Sequence, residues 1–450
     1  VGRALRLGNP RVSREKLYGW GRTAPSVADV LEPTANDISG LLRTSTHVLS
    51  RGLGRSYGDA AQLAGGLVLR NSAMTVMDEI ASDGSVWVDA GVTIDDLIRV
   101  GLPQGWFVPV TPGTRRVSIG GAIAADVHGK NHHVDGSFGH HVRSLVLATP
   151  TGTLTCGPTE RAELFWATVG GMGLTGVVLR AQIQLLAVTS DKVVVDTTRF
   201  ANLEAVMHEM QSGDHRYRYS VAWVDCMTTG SAMGRAILTR GDHAEGTGER
   251  HAPRDAKIGV PFSAPSGLLN GLSIRAFNEL WFRMAPKQRH GEEQSIGAFF
   301  HPLDGVRDWN RLYGRRGFVQ YQFAVPDAAS ETVVEAIKLL AESRVPSFLA
   351  VLKRFGDGTP GPLSFPMPGW TLALDLPVGP TALPGVLDQL DTLVLAAGGR
   401  VYLAKDARLD PATFRAMYPR FEELLQLKQE IDPTTVITSD LARRLELIRK

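Results

Sequence analysis

The sequence predicts an α+β protein of more than one domain, and three observations carry that expectation. The chain has 450 residues, too many for one hydrophobic core at roughly 100–200 residues per domain. Glycine, 48 residues in all, is concentrated ahead of Arg180, where three clusters are separated by short β-like runs. Beyond Gly317 the pattern changes to a legible strand–helix–strand–strand–helix–strand series.

Taken in order, His47–Ser50, Leu67–Leu69, Val86–Ala90, Val142–Ala148 and Val177–Leu185 read as strands, being aliphatic and β-branched runs bounded by glycine and polar turns. Thr93–Val100 and Glu160–Val169 read as short helices, the former with Asp95 and Asp96 in its first turn. No fixed repeat links the glycine clusters. Tyr217–Asp225 and Ala236–Thr239 alternate like strands, and Arg240–Gly267, rich in Gly, His, Pro and charge, reads as a surface loop. Then come strand Phe318–Ala324, helix Ala328–Glu342, strands Ser347–Lys353 and Trp370–Leu376, helix Ala382–Ala397 and strand Arg400–Leu403. That order is the split βαβ, ferredoxin-like arrangement. Four strands with helices on one face leave the other face free to cover a ligand. Alternation places Thr371, Ala373 and Asp375 on one side of their strand, with Leu372 and Leu374 on the other. The tail after Pro411 reads as helical, with a last short helix near Asp440–Ile448.

Composition narrows the function classes. Hydrophobic residues at 43% and charged residues at 21% exclude wholesale disorder. Forty-eight basic against 46 acidic side chains, a net of +2, counts against nucleic acid as a partner. Two cysteines, Cys156 and Cys226, make neither a disulfide framework nor a CxxC metal site, and read as reduced and packed. No apolar run approaches the roughly 18–20 residues that span a bilayer. The opening Val1-Gly2-Arg3-Ala4 shows no signal-peptide h-region. The expected location is cytoplasmic or peripheral at a membrane, with the periplasmic face left open.

The glycine clusters carry the chemistry. They are Arg51–Asp59; Pro112-Gly113 through Gly120-Gly121 and His128-Gly129 to Gly139; and Gly170–Gly176. Glycine admits positive φ and close approach of main-chain N–H groups, which gather into anion nests suited to a pyrophosphate. The first loop is followed by no helix and no GK[ST], so it is neither a Rossmann turn nor a Walker loop. Three such loops in one domain favour a large dinucleotide threaded between two subdomains. The rival is a metal-dependent hydrolase, suggested by His128, His132, His133, His140 and His141. Their spacing matches no HExxH pattern, and interleaved glycines argue against a rigid ligand set, so no metal is expected. A flavin-binding module without catalysis is a further alternative.

The three glycine segments, together with Glu163-Leu-Phe-Trp166, resemble the vanillyl-alcohol-oxidase, or PCMH-type, FAD-binding domain. Gly19-Trp-Gly-Arg-Thr-Ala-Pro-Ser26, His128-Gly-Lys-Asn-His-His133, Gln320-Tyr-Gln-Phe323, Pro362-Leu-Ser-Phe-Pro366 and Ala404-Lys-Asp-Ala-Arg408 resemble the decaprenylphosphoryl-β-D-ribose 2-oxidase family. That family is the flavoenzyme half of an actinobacterial cell-wall epimerase. The resemblance implies a two-subdomain FAD-binding domain over residues 1–190, a substrate domain over 191–399 and a return to the FAD domain over 400–450. It implies FAD held by Arg51, Gly52, Leu53, Gly54, Arg55, Ser56, Tyr57, Gly58, Asp59 and Ala60 of the first loop. Gly113, Ser118, Ile119, Gly120, Gly121, Ala125, Asp126, Val127, His128, Val178 and Tyr402 complete that set.

Lys405, Tyr57 and His128 are the implied catalytic residues, and Lys130, Gln322, Lys353, Thr371, Ala373 and Lys405 the implied substrate contacts. A lysine beside a flavin can stabilise the reduced ring or polarise a hydroxyl, and Lys130 and Lys353 can meet a phosphate as point charges. Many members of the superfamily attach FAD through a histidine where Arg55 stands. A guanidinium is no nucleophile at neutral pH, so the flavin is expected to be non-covalent. The implied reaction is oxidation of the 2'-hydroxyl of a polyprenylphosphoryl ribose, with an NAD(P)H-dependent keto-sugar reductase as partner. Relatives commonly carry Asn at Thr371 and Cys at Ala373, which keeps a sugar, alditol or aldonolactone oxidase open as the alternative.

Overall fold

The computed structural model describes residues 12–256, 258–265 and 267–448. The opening Val1–Ala4 lies outside them. Four strands open the fold: Ser13–Leu17 (β1), Ser26–Leu31 (β2), Val48–Arg51 (β3) and Leu67–Arg70 (β4), in the order β1-β2-β4-β3 with helix Ala35–Thr44 (α1) between β2 and β3. A second four-stranded sheet, wholly antiparallel, combines Ser85–Asp89 (β5), Val142–Thr149 (β6), Gly152–Cys156 (β7) and Val177–Gln184 (β8) in the order β5-β8-β6-β7. Helix Ile94–Gly101 (α2) starts where Thr93 and Asp96 form a reciprocal capping box, each side chain bonding the other's backbone N–H. Helices Ile119–Ala124 (α3) and Ala162–Thr168 (α4) follow in this subdomain.

A larger sheet follows. Its strands are Lys192–Phe200 (β9), Tyr219–Val224 (β10), Ala236–His243 (β11), Gln288–Ser295 (β12), Phe318–Pro326 (β13), Ala350–Phe355 (β14), Gly369–Pro377 (β15) and Arg400–Val401 (β16). Helices Leu203–Gly213 (α5), Gly271–Met284 (α6), Glu331–Ser343 (α7) and Leu383–Ala396 (α8) interleave with them. The strand order is β12-β9-β11-β10-β14-β15-β13-β16. Its second half is the ferredoxin-like series anticipated from sequence, but the sheet has eight strands rather than four. The first half repeats the strand–helix–strand–strand plan with β9, α5, β10 and β11. The halves join edge to edge where Ala222 faces Leu352 and Trp223 faces Val351.

The loop expected over Arg240–Gly267 is corrected at two places, and one strand is added. Arg240–His243 is not loop but the end of β11, carried there because Arg240 pairs in register with Asp196. Ile258–Gly259 within the same stretch pairs in parallel with Val306–Arg307; Lys257 and Ser266 lie outside the described residues. Strand β12 went unread because QRHGEEQS is polar on both faces. As the outer strand of the sheet it pairs only with β9 and needs no apolar alternation.

The core explains which sheet face is free. Leu352, Leu372, Leu374, Leu376 and Phe323 are buried against Val333, Ile337 and Leu340 of α7 and Leu387, Leu390 and Val394 of α8. The alternate residues Gln320, Gln322, Lys353 and Ala373 therefore face the glycine-rich domain. Helices Pro411–Met417 (α9), Phe421–Ile431 (α10) and Asp440–Arg444 (α11) close the chain. Lys428 and Asp432 pair at 2.6 Å beneath them, and the Lys428 ammonium also donates to the Leu174 and Ile437 carbonyls. Among the described residues no helix is long and apolar enough to cross a membrane.

Candidate active site

Three walls meet at one cavity of about 420 Å³. The first glycine loop supplies Gly52, Leu53, Gly54, Arg55, Ser56, Tyr57 and Ala60. The second supplies Gly113, Ser118, Gly120, Gly121, Ala125, Val127 and His128, and Gly173, Gly176 and Val178 come from the third and the strand after it. Gln320, Gln322, Lys353 and Ala373 reach in from the free face of the large sheet, with Tyr402, Ala404 and Lys405 from the segment that leaves β16.

Glycine stands at two kinds of position around the cavity. A Cβ on Gly58 would lie 1.9 Å from the Asp406 carbonyl oxygen, so the first loop and the Lys405 segment interlock. The Tyr57 amide donates to the Ala404 carbonyl at 2.9 Å across that seam. By contrast, a Cβ on Gly113 or Gly173 would meet nothing within 4 Å. Both open onto the cavity and leave backbone there to meet a ligand.

The lining fits FAD by its unmet hydrogen bonds. Asn71 Oδ1, His128 Nδ1, Gln320 Oε1 and Gln322 Oε1 are buried with no partner among the described residues, and all four belong to cavity-lining side chains. Each such atom costs on the order of 1–3 kcal/mol until something satisfies it. A flavin ring, with acceptors and a donor along one edge, is a ligand of the right chemistry. Arg55 turns its guanidinium over the Trp20 ring at 4.0 Å and donates from Nε to the Arg116 carbonyl.

Electrostatics single out the sheet side. Lys405 Nζ stands 5.1 Å from the centre of the Tyr57 ring. Burial pulls its ammonium down to about 8, and the Asp375 carboxylate opposes that fall. Lys353 is pulled to about 7, by burial first and then by Lys405 and Lys130. Asp375 is pushed up to about 6 by burial, against a Gln320 hydrogen bond and the Lys405 charge. Burial and these two lysines also hold His128 well below the usual imidazole range, so the ring is neutral. The Gln322 amide nitrogen lies 2.9 Å from His128 Nε2 and donates to it, which places the ring proton on Nδ1.

Seven of the residues implied by resemblance lie off the cavity wall. Arg51 donates to the Ala61 and Tyr18 carbonyls. Asp59 is clamped bidentately by Arg444 at 2.8 Å. Gly58 is packed under Asp406, and Ile119 is fully buried in α3. Asp126 turns inward to accept from Ser137, Gly139 and Thr359. Lys130 gives its ammonium to the Phe299 carbonyl and sits 4.2 Å over that ring. Thr371 is fully buried and accepts from Gln322 Nε2 at 3.0 Å while donating to the Phe323 carbonyl. These residues shape the loops or hold a lining side chain.

The other histidines of the second loop disperse. His133 bonds the Asp214 and Tyr217 carbonyls, His141 the Asp135 carbonyl, and His132 packs 4.4 Å from Phe355. Sequence reasoning missed Trp20, Asn71, Asp304, Trp309 and Gln320 as cavity residues. Gln320 had a usable signal, since it stands two residues before Gln322 on one strand. The wall from Leu303 to Trp309 had none.

Comparison with known proteins agrees with this construction. A family model described as an FAD binding domain matches residues 34–157. A decaprenylphosphoryl-beta-D-ribose oxidase of Mycolicibacterium smegmatis is 42% identical over 458 residues, spanning 96% of this chain and 98% of that relative. An uncharacterized protein of Streptomyces coelicolor is 39% identical over 372 residues, 79% of this chain and all of its own length. A cytokinin dehydrogenase of Oryza sativa is 29% identical over 151 residues, only 31% of this chain. This protein is an FAD-dependent oxidoreductase, and the chain belongs to the decaprenylphosphoryl-beta-D-ribose oxidase family.

Proposed function

We propose that the enzyme oxidises the 2'-hydroxyl of a polyprenylphosphoryl-β-D-ribose to the 2-keto sugar. The relative that spans the whole chain is named for that substrate. The observation that carries the reading is the meeting of Lys405, Lys353 and Gln322 with the neutral His128 of the second glycine loop at one cavity. FAD bound there supplies the hydride acceptor. Residues of the first and second loops named above would hold it non-covalently, Arg55 being engaged with Trp20.

The Lys405 ammonium would orient the sugar hydroxyl by donating a hydrogen bond to its oxygen, while the hydroxyl proton passes to solvent water. Lys353, on β14, offers a charge for the phosphate. Gln322 fixes the His128 ring with its proton on Nδ1, an atom with no partner among the described residues. Tyr57 stays a phenol, since burial and Asp375 hold its titration well above the ordinary range. The division at residues 190 and 400 is our reading of the domains. Restoring the hydroxyl with inverted configuration needs a second enzyme, an NAD(P)H-dependent keto-sugar reductase. A lipid-linked substrate places the work at a membrane surface.

The test is anaerobic bleaching of the flavin. Decaprenylphosphoryl ribose is expected to reduce it, and free alditols or aldonolactones to leave it oxidised. Bleaching by the latter alone would assign the enzyme to the alditol or aldonolactone oxidases.

A further inference from the structure

Among the described residues, fifteen large apolar side chains are exposed, and eight of them fall between Ile258 and Met284. Monomeric soluble proteins seldom gather so many in one place without a partner for them. Helix α6 is the centre of the group. Ile274 and Asn278 face the protein, Asn278 donating to Asp225 at 2.8 Å. At 100° per residue Leu280, Met284, Phe277 and Trp281 share one arc beside that face, and Leu272 projects from the first turn; Leu272, Leu280, Trp281 and Met284 are 81%, 59%, 48% and 70% exposed. Phe277 stacks on Trp281 with centroids 6.1 Å apart and touches Phe348 on its other side.

The border of this arc is cationic. Arg275, Arg283 and Lys287 stand against Glu279, the one acid of the helix, which is taken up by Arg235 and Arg283. Arg275 and Lys287 have no acidic partner among the described residues. An exposed Leu/Trp/Met face edged by arginine and lysine is the chemistry of a helix lying in a lipid interface. A protein partner of matched shape would not require that cationic edge.

The patch shares a wall with the cavity. Leu269 packs on the Trp309–Tyr313–Phe318 cluster, and Trp309 lines the cavity. The Ile258–Gly259 bridge pairs with Val306–Arg307, also cavity residues. We propose that α6 docks the enzyme on an anionic bilayer, its apolar arc at the boundary of headgroups and acyl chains and its cations among the phosphates. The docking rests on the exposed face; its use, bringing the cavity to a polyprenyl-linked sugar, rests on the function proposed above.

The experiment is flotation of the FAD-loaded enzyme with phosphatidylcholine vesicles containing or lacking phosphatidylglycerol. The enzyme is expected to float with the anionic vesicles. Replacing Leu272, Leu280, Trp281 and Met284 together by Gln is expected to weaken that binding by at least about tenfold, with FAD content and thermal transition unchanged. In the parent, brominated acyl chains should quench Trp281 fluorescence, measured as the difference from Trp281→Phe. An enzyme that stays unbound, or a fourfold variant that floats as before, overturns the proposal. So does a parent dimer that the variant converts to monomer, since a second copy would then cover the face. A water-soluble short-chain phosphoryl ribose should reduce the flavin of parent and variant equally. Failure with every phosphoryl ribose sinks the proposed function while leaving the flotation result to decide the docking.

Discussion

Gln322 ties His128 to the substrate sheet: its amide nitrogen is 2.9 Å from the His128 Nε2 and 3.0 Å from the Thr371 hydroxyl. One side chain thus spans the second glycine loop and two strands. The imidazole tautomer depends on it. Replacing Thr371 by Val removes one of the two acceptors without changing volume. Substrate-driven flavin reduction should slow by about fivefold, the scale of one neutral hydrogen bond of ~1 kcal/mol, and Gln322→Leu should slow it more. Equal rates in parent and both variants, by stopped-flow absorbance, would show that the bridge holds nothing the reaction uses.

Lys405 carries the largest expected effect. Lys405→Met keeps the length of the side chain and removes its charge. FAD should remain bound, while reduction by substrate falls by at least about a hundredfold, as for loss of one electrostatic or acid–base contributor. Near-normal bleaching removes Lys405 from the mechanism.

A pH series tests the Asp375–Lys405 pair. Burial lowers the ammonium to about 8 while Asp375 pulls it up. If the charged form is the working one, reduction is complete below that value and declines as pH rises through it. Asp375→Asn removes the upward pull, so the decline should begin at lower pH. The Tyr313 hydroxyl, which donates to Asp375 at 3.3 Å, can still donate to the amide oxygen. An alkaline limb that stays put would mean that Asp375 only packs.

Ala373 lines the cavity opposite Gln322 in the strand register. Ala373→Cys adds one sulfur to a wall rather than to a close-packed interior, so turnover should survive. The variant should be alkylated by electrophiles that fill the cavity, and the parent should not. Both native thiols are buried, and burial pushes the Cys156 thiol to about 12 and Cys226 higher still. Intact-mass spectrometry reads the result; equal adducts on both proteins defeat the expectation.

The flavin should leave with acid. Because Arg55 is stacked on Trp20, precipitation is expected to release intact FAD into the supernatant, seen by its absorbance and mass. Yellow colour retained in the pellet would indicate a covalent link.

Much of this architecture is legible in residue order, and what is not has physical causes. The glycine loops announce themselves because close backbone approach excludes every other residue at positions such as Gly58. The alternation of Thr371, Ala373 and Asp375 is legible because Leu372 and Leu374 are buried. Period does not say what a buried polar side chain bonds. Thr371 and Asp126 look like ligand contacts by position, yet Thr371 bonds Gln322 and Asp126 holds Ser137 and Gly139. The polar outer strand β12 and the outward apolar arc of α6 each break the rule that apolar means inside, so neither was read. Residues from Leu303 to Trp309 join the site only through tertiary packing.

The clasp between Arg444 and Asp59 sets a timetable. The two lie 385 positions apart, and Ile437 also bridges to Val48 while Lys428 reaches Leu174. A ribosome releases the amino-terminal residues first, at roughly 5–20 residues per second. The first glycine loop therefore emerges long before the helix that fastens it. Until residues 428–444 leave the exit tunnel, the cofactor cradle lacks its buckle. Stable capture of FAD is thus an event that follows synthesis of the whole substrate domain, and a chain truncated before Lys428 should emerge colourless even with every glycine loop intact.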